Sequence, residues 1–158
     1  MTTTTTIDED WTLRSRADVA TFLDHQQMQA LKSEEFWVIS LDANDNLIHV
    51  MRQTSELRDK VYIDLRLALL RAKTKGAAKV YLAHNHPDSR RPRASWNDWM
   101  STMKARWLGW RLGVPVLDHL IMGCDKYYSY LSGDSRWNPL GWLFRVALNP
   151  RRFLPAAQ

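Results

Sequence analysis

Apolar residues recur along the chain with two different periods. Between Ala17 and Leu31, Val19, Phe22, Leu23, Met28 and Leu31 fall roughly at the spacing of one helix face. Glu34 to Leu41 (EEFWVISL) is rich in β-branched and aromatic residues and predicts a strand. The turn-forming stretch Asp-Ala-Asn-Asp-Asn follows, and Leu47 to Thr54 (LIHVMRQT) returns as a second strand, so the pair predicts a hairpin. Leu57, Val61, Leu65, Ala68 and Leu69 then mark a helix face that Gly76 ends. Ala77 to Ala83 (AAKVYLA) is a short strand running directly into His84. The next helix spans Ser95 to about Leu112, with Trp99, Met103 and Trp107 on one face and Gly113 beyond its end. Val114 to Met122 (VPVLDHLIM) predicts a buried strand, Gly-Cys-Asp-Lys a turn, and Tyr127 to Leu131 the closing strand.

The order helix, hairpin, helix, strand, helix, strands predicts an α/β fold, a single domain with a mixed β-sheet packed by helices. Residues 1–10, with a threonine run and no apolar periodicity, are expected to be a flexible tail. Residues 11–135 form the expected domain. Residues 136–158 carry three prolines and four arginines and are expected to be a basic, tryptophan- and proline-containing extension that packs back onto it.

Composition narrows the class. The chain has 158 residues, of which 45% are apolar and 25% charged, enough for one packed core. No apolar run reaches the length of a membrane span, and the N-terminus lacks the basic and apolar regions of a signal peptide, so a cytoplasmic location is expected. The single cysteine, Cys124, excludes an internal disulfide framework and any multi-cysteine zinc site. The net charge of +5 points to acidic partners, nucleic acid among them, although Arg66, Arg71, Lys73 and Lys75 are accounted for as solvated helix-face charge. Six of the eight tryptophans lie between Trp96 and Trp142, anchors for a core or an interface.

The chemistry concentrates in YLAHNHPDSRRPRASWND, Tyr81 to Asp98. In an extended segment residues two apart project to the same side, so His84 and His86 can converge on one ion. Asp98, in the first turn of the following helix, offers a third ligand where the helix dipole favours a carboxylate. Ser95 and Asp98 are equally a helix-capping pattern. Spacing alone therefore leaves two meanings open, a metal site and polar residues where a strand meets a loop. Competing metal patterns fall away. Zinc nucleobase deaminases need H-x-E and P-C-x-x-C, which a single cysteine forbids, the H-E-x-x-H of metalloproteases is absent, and no Asp-His pair closely follows His86. Asp118-His119, on a predicted buried strand, is expected to be a satisfied core pair, and His25, His49 and Cys124 have only structural readings.

Taken together, EEFWVISLDANDNLI, AHNHP, SWND and VLDHLIMG resemble the JAMM/MPN metalloprotease family in its bacterial RadC-like form. The resemblance runs from about Leu31 to Leu131. It implies a zinc ion held by His84, His86 and Asp98, with Glu34 rather than Glu35 as the general base and Ser95 as hydrogen-bond donor to the oxyanion. It also implies a protein substrate, a ubiquitin-like modifier or its conjugate, and a partner among conjugation enzymes. Arg90, Arg91 and Arg93, in the loop between the ligands, are candidates for the substrate rim. Two other classes are compatible with the sequence: a RadC-like accessory of DNA repair or mobile elements that binds nucleic acid through its basic surface, and a non-catalytic interaction module. The chain departs from the family pattern in three respects. Eight residues rather than seven separate His86 from Ser95, Asp88-Ser89 stands where Ser-Gly is common, and the helix-hairpin-helix region of full-length RadC proteins is missing. On the last departure, a stand-alone metallohydrolase is expected rather than a DNA-associated protein.

Overall fold

The computed structural model of the protein describes residues 10–54, 63–87, 89–124 and 126–131, with the backbone of residues 2–5. Its strands are β1 (Thr2–Thr5), β2 (Glu35–Leu41), β3 (Leu47–Thr54), β4 (Lys79–Asn85), β5 (Val116–Met122) and β6 (Tyr127–Ser129). They make one mixed sheet in the spatial order β1-β3-β2-β4-β5-β6. Every neighbouring pair is antiparallel except β4 and β5. Helices α1 (Arg16–His25), α2 (Leu65–Thr74) and α3 (Trp96–Leu112) complete the fold, and α3 is the crossover that makes the β4–β5 pairing parallel.

The sheet is covered on both faces, which explains why its central strands carry near-continuous apolar runs. Trp37, Ile39, Leu41, Val50, Tyr81 and Ala83 pack with Val19, Phe22 and Leu23 of α1. The alternate positions Phe36, Val38, Met51, Val80 and Leu82 pack with Leu65, Ala68, Leu69 and Ala72 of α2 and Ala105 of α3. Alternation along β4 thus sends each side chain to one of two separate cores. Local signals agree with this arrangement. Ser15 and Asp18 form a reciprocal capping box at the start of α1, Asp64 caps α2, and Gly76 and Gly113 take left-handed φ values of +87° and +71° just past α2 and α3. In the hairpin turn, Asp42 accepts hydrogen bonds from the Asn44 and Asn46 amides, both at 2.8 Å.

Four expectations are corrected. Thr2–Thr5, expected to be flexible tail, pairs as an edge strand with β3, Thr2 opposite Gln53 and Thr5 opposite Val50. An edge strand is held by backbone hydrogen bonds and needs no apolar alternation, and threonine favours extended backbone. The first helix ends at His25 rather than continuing to Leu31: Gln27 adopts a left-handed φ of 55°, and a separate 3-10 turn covers Met28–Ala30. β4 continues through His84 and Asn85, past the expected end at Ala83. Finally, α3 buries Thr102, Ala105 and Gly109, while Trp107 and Trp110 are exposed. Small residues let the helix lie close to the start of β5, and the tryptophans are left facing outward. Leu57, Val61 and the extension 136–158 lie outside the described residues. Among the described residues no helix is long and apolar enough to cross a membrane.

Gly109 shows how tight this packing is. A Cβ there would stand 2.5 Å from the Val114 carbonyl oxygen and 3.1 Å from Val116 Cγ2. Gly109→Ala is therefore expected to destabilise the protein by about 1–3 kcal/mol despite the better helix propensity of alanine. Denaturant unfolding checks this: a lower midpoint at unchanged slope is expected, and an unchanged midpoint would contradict the close approach.

Candidate metal centre

Three structural pieces meet at the ends of β4 and α3. His84 is the penultimate residue of β4 and His86 follows the strand directly, so both rings project to the α3 side. Their Nε2 atoms lie 3.0 Å apart. Asp98, in the first turn of α3, places Oδ1 3.4 Å from His84 Nε2 and Oδ2 4.0 Å from His86 Nε2. Glu34, next to the first residue of β2, joins the same point: it offers a ligand atom within 4.8 Å of those of His84 and His86. The capping and ligand meanings of Ser95 and Asp98 hold together. The Asp98 carboxylate accepts from the Ser95 amide at 2.7 Å, and Ser95 Oγ accepts from the Asp98 amide at 3.2 Å. This closed box anchors the carboxylate that faces the histidines.

Glu34 and Glu35 separate cleanly. Glu35 accepts hydrogen bonds from Trp37 Nε1 at 2.8 Å and Thr54 Oγ1 at 3.4 Å, away from the histidines. Asn85, between the two histidines, points to the opposite face and is buried. Its Oδ1 accepts from the Glu35 amide at 2.8 Å and its Nδ2 donates to the Ser33 carbonyl at 3.1 Å. Asn85 thus clamps the backbone that carries Glu34. Sequence reading singled out the histidines and passed over the asparagine, whose side chain serves the site from behind.

The loop from His86 to Ser95 is held at its middle. The Cys124 amide donates to the Ser89 carbonyl at 2.9 Å, and Pro92 is buried. A Cβ on Gly123 would stand 2.4 Å from that carbonyl oxygen and 2.7 Å from Pro92 Cδ, so the glycine of LIMG is what lets the loop close down. Arg90, Arg91 and Arg93 are exposed on it. Asp118 is a satisfied core group: it accepts from Ser129 Oγ and from the His119 and Leu131 amides. His119 was missed as a site residue. Its Nε2 lies 2.8 Å from Nδ1 of His84.

Electrostatics suit ligand chemistry. Burial, opposed by Asp98 and aided by His86, lowers the His84 pKa to about 4. Burial likewise lowers His86, again opposed by Asp98, and takes His119 well below the ordinary histidine value. At neutral pH the rings are uncharged and their lone pairs are not blocked by protons. Ligand atoms around a tetrahedral zinc lie about 3.3 Å apart for bonds of about 2.0–2.1 Å. The 3.0 and 3.4 Å separations bracket that value and the 4.0 Å one exceeds it. Imidazole with carboxylate also suits zinc better than calcium or magnesium, which prefer oxygen ligands. The donor set fits the ion.

The family described as a RadC-like JAB domain matches residues 13–135. A UPF0758 protein of Flavobacterium johnsoniae is 35% identical over 101 residues, which cover 64% of this chain and 44% of that protein. A UPF0758 protein of Pelobacter propionicus is 29% identical over 107 residues, 68% of this chain and 46% of the relative. One from Bacillus cereus is 32% identical over 122 residues, 75% and 52% respectively. The chain thus spans about half the length of the curated relatives it matches.

The buried, uncharged histidines make the metal-free protein acid-labile. Between the unfolded histidine pKa of about 6.5 and the folded His84 value of about 4, the unfolded chain binds protons that the native chain refuses. Stability is complete above that window and falls as pH drops through it, by a few kcal/mol. Denaturant midpoints of chelator-treated protein should be flat above pH 7 and fall steeply from pH 6.5 to pH 4. A flat profile across that range would refute the burial of neutral rings.

Proposed function

Because the chain belongs to the RadC-like JAB domain family and draws two uncharged histidines and two carboxylates to one point, we propose that it is a zinc-dependent hydrolase of amide bonds, a peptidase or isopeptidase. The convergence of His84, His86, Asp98 and Glu34 carries this reading. His84, His86 and Asp98 would hold the ion. Asp98 is the better third ligand because its capping box fixes it on a helix, whereas Glu34 has a longer side chain and lies just outside a strand. When bound, the ion supplies a positive charge that polarises the scissile carbonyl and acidifies water. Glu34 takes a proton from the attacking water on its carboxylate and delivers it to the departing amine. Ser95, its oxygen fixed by the Asp98 amide, donates its hydroxyl to the oxygen that becomes negative in the tetrahedral intermediate.

The proposed substrate is the amide bond that follows a ubiquitin-like modifier, in a conjugate or a precursor, with a conjugation enzyme as partner. Support for this comes from the resemblance to JAMM proteins and from Arg90, Arg91 and Arg93, exposed on the loop that joins His86 to Ser95. Guanidinium groups there suit acidic side chains or a terminal carboxylate. The same arginines and the net charge of +5 favour a second reading, a nucleic-acid-binding accessory.

Purified protein should hold about one zinc per chain, and His84→Ala with His86→Ala should release it. Glu34→Gln should lower turnover by about 10²–10⁴-fold while zinc stays bound. Glu35→Gln should be mild, because Glu35 is engaged by Trp37 and Thr54. Metal analysis beside cleavage of a ubiquitin-like fusion distinguishes the two glutamates, and the reverse pattern would reassign the base. Arg90→Ala with Arg91→Ala should reduce cleavage of the same fusion. A salt titration of DNA binding tests the second reading: tight, salt-sensitive affinity without peptidase activity would establish it in place of the first.

A further inference from the structure

His84 turns Nε2 toward His86 and Asp98 and Nδ1 toward the interior, where it meets His119 Nε2 at 2.8 Å. His119 Nδ1 lies 2.6 Å from Thr102 Oγ1. Thr102 Oγ1 in turn lies 2.6 Å from the main-chain carbonyl of Asp98. His84, His119 and Thr102 are all buried. The row therefore joins β4, β5 and α3, and both its ends belong to residues of the candidate metal centre.

Counting hydrogens fixes the direction of every bond in the row. A carbonyl only accepts, so the contact with Asp98 requires the single hydrogen of the Thr102 hydroxyl. Thr102 can then only accept from His119, which sets the proton of neutral His119 on Nδ1 and leaves a lone pair on Nε2. That lone pair accepts from His84, whose proton must sit on Nδ1. His84 Nε2 is left as a bare lone pair facing His86 and Asp98. The opposite polarity would leave the Thr102 and Asp98 oxygens 2.6 Å apart with no hydrogen between them, and would aim an N–H from His84 into the centre. Tyr130 shields the row: its ring stacks on His119 with centroids 5.5 Å apart and planes at 16°, and its hydroxyl donates to the Ser95 carbonyl at 3.4 Å. Phe36 covers the other side, its ring parallel to His84 and tilted against His119.

We propose that His119 and Thr102 are positioning residues, which hold His84 in the one tautomer able to bind a metal ion through Nε2. The consequence for metal affinity rests on the zinc reading above, whereas the tautomer itself does not. Histidine ligands commonly donate their second N–H to a carboxylate or carbonyl. Here a neutral imidazole takes that place, and it can accept only because Thr102 dictates which of its nitrogens carries the proton.

The test has two arms. Two-bond ¹H–¹⁵N correlation spectra of metal-free protein read the tautomer directly. Zinc titration against a chromophoric chelator, with cobalt as spectroscopic probe, reads the centre. Metal-free wild type should show His84 protonated on Nδ1. Thr102→Val, nearly the same shape without the hydroxyl, should weaken zinc binding by about 10–100-fold and alter the cobalt spectrum. Thr102→Ser should restore both. His119→Gln, which keeps an acceptor for His84 and a donor for Thr102, should bind more tightly than His119→Leu. His84 protonated on Nε2 in the wild type, or a folded Thr102→Val with wild-type zinc affinity, would overturn the proposal. A wild type that shows the Nδ1 proton yet takes up no zinc would remove the metal reading and leave the hydrogen-bond assignment standing.

Discussion

In β4 each side chain is confined to one face of the sheet, because β2 and β5 pair along its two edges and separate apolar layers cover its two faces. Val80 and Leu82 enter the core under α2 and α3, and Tyr81 and Ala83 enter the one under α1. A slip of one residue would exchange the two sets, so the register is strongly specified. The residues at its end inherit that assignment. His84 faces α3, Asn85 faces the other way and grips the backbone before β2, and His86 returns to the α3 side. A shift of one position would put the asparagine in the centre and a histidine in the clamp.

Around this strand the site is assembled from short-range constraints that reinforce one another. The capping box that starts α3 also holds Asp98, so helix initiation and carboxylate placement are one event. Gly123 lets the loop between His86 and Ser95 fold down onto the β5–β6 turn, which brings the helix start back over the end of β4. Burial then removes the charge from His84, His86 and His119. An uncharged imidazole buried this way still needs partners for its ring nitrogens. Both nitrogens of His84 have them, one toward the centre and one toward His119.

Much of this was legible along the chain, since it depends on local pattern. The hairpin of β2 and β3, the end of α2 before Gly76 and the start of α3 at Ser95 follow from alternation, turn residues and caps. The common side of His84 and His86 follows from strand alternation and the place of Asp98 in a first helical turn from the cap at Ser95, whereas the approach of that turn to the histidines is tertiary. What escaped had no local signal. The pairing of Thr2–Thr5 with β3 is made by backbone groups. The outward tryptophans of α3 result from the close approach of Gly109 to Val114, between elements whose separation no periodicity records. The clamp by Asn85 depends on a contact fifty positions away in the chain.

His119 marks the division most sharply. Strict alternation from Val116 would put Asp118, not His119, on the α3 side of β5. The pairing with β4 departs from it: Val116 lies opposite Val80 and His119 opposite Leu82, so three positions of β5 span two of β4. That irregularity reverses the parity of the strand, turns His119 toward His84 and leaves Asp118 to Ser129 and nearby amides. The amino-acid sequence by itself determined the order of elements from α1 onward, the alternation of the central strands and the identity of the candidate metal-binding groups, because these rest on side-chain chemistry and on local periodicity. Only the tertiary structure decided which buried histidine backs the centre and which nitrogen faces it, because both depend on register between strands joined through α3 and on hydrogen-bond direction across three separate elements.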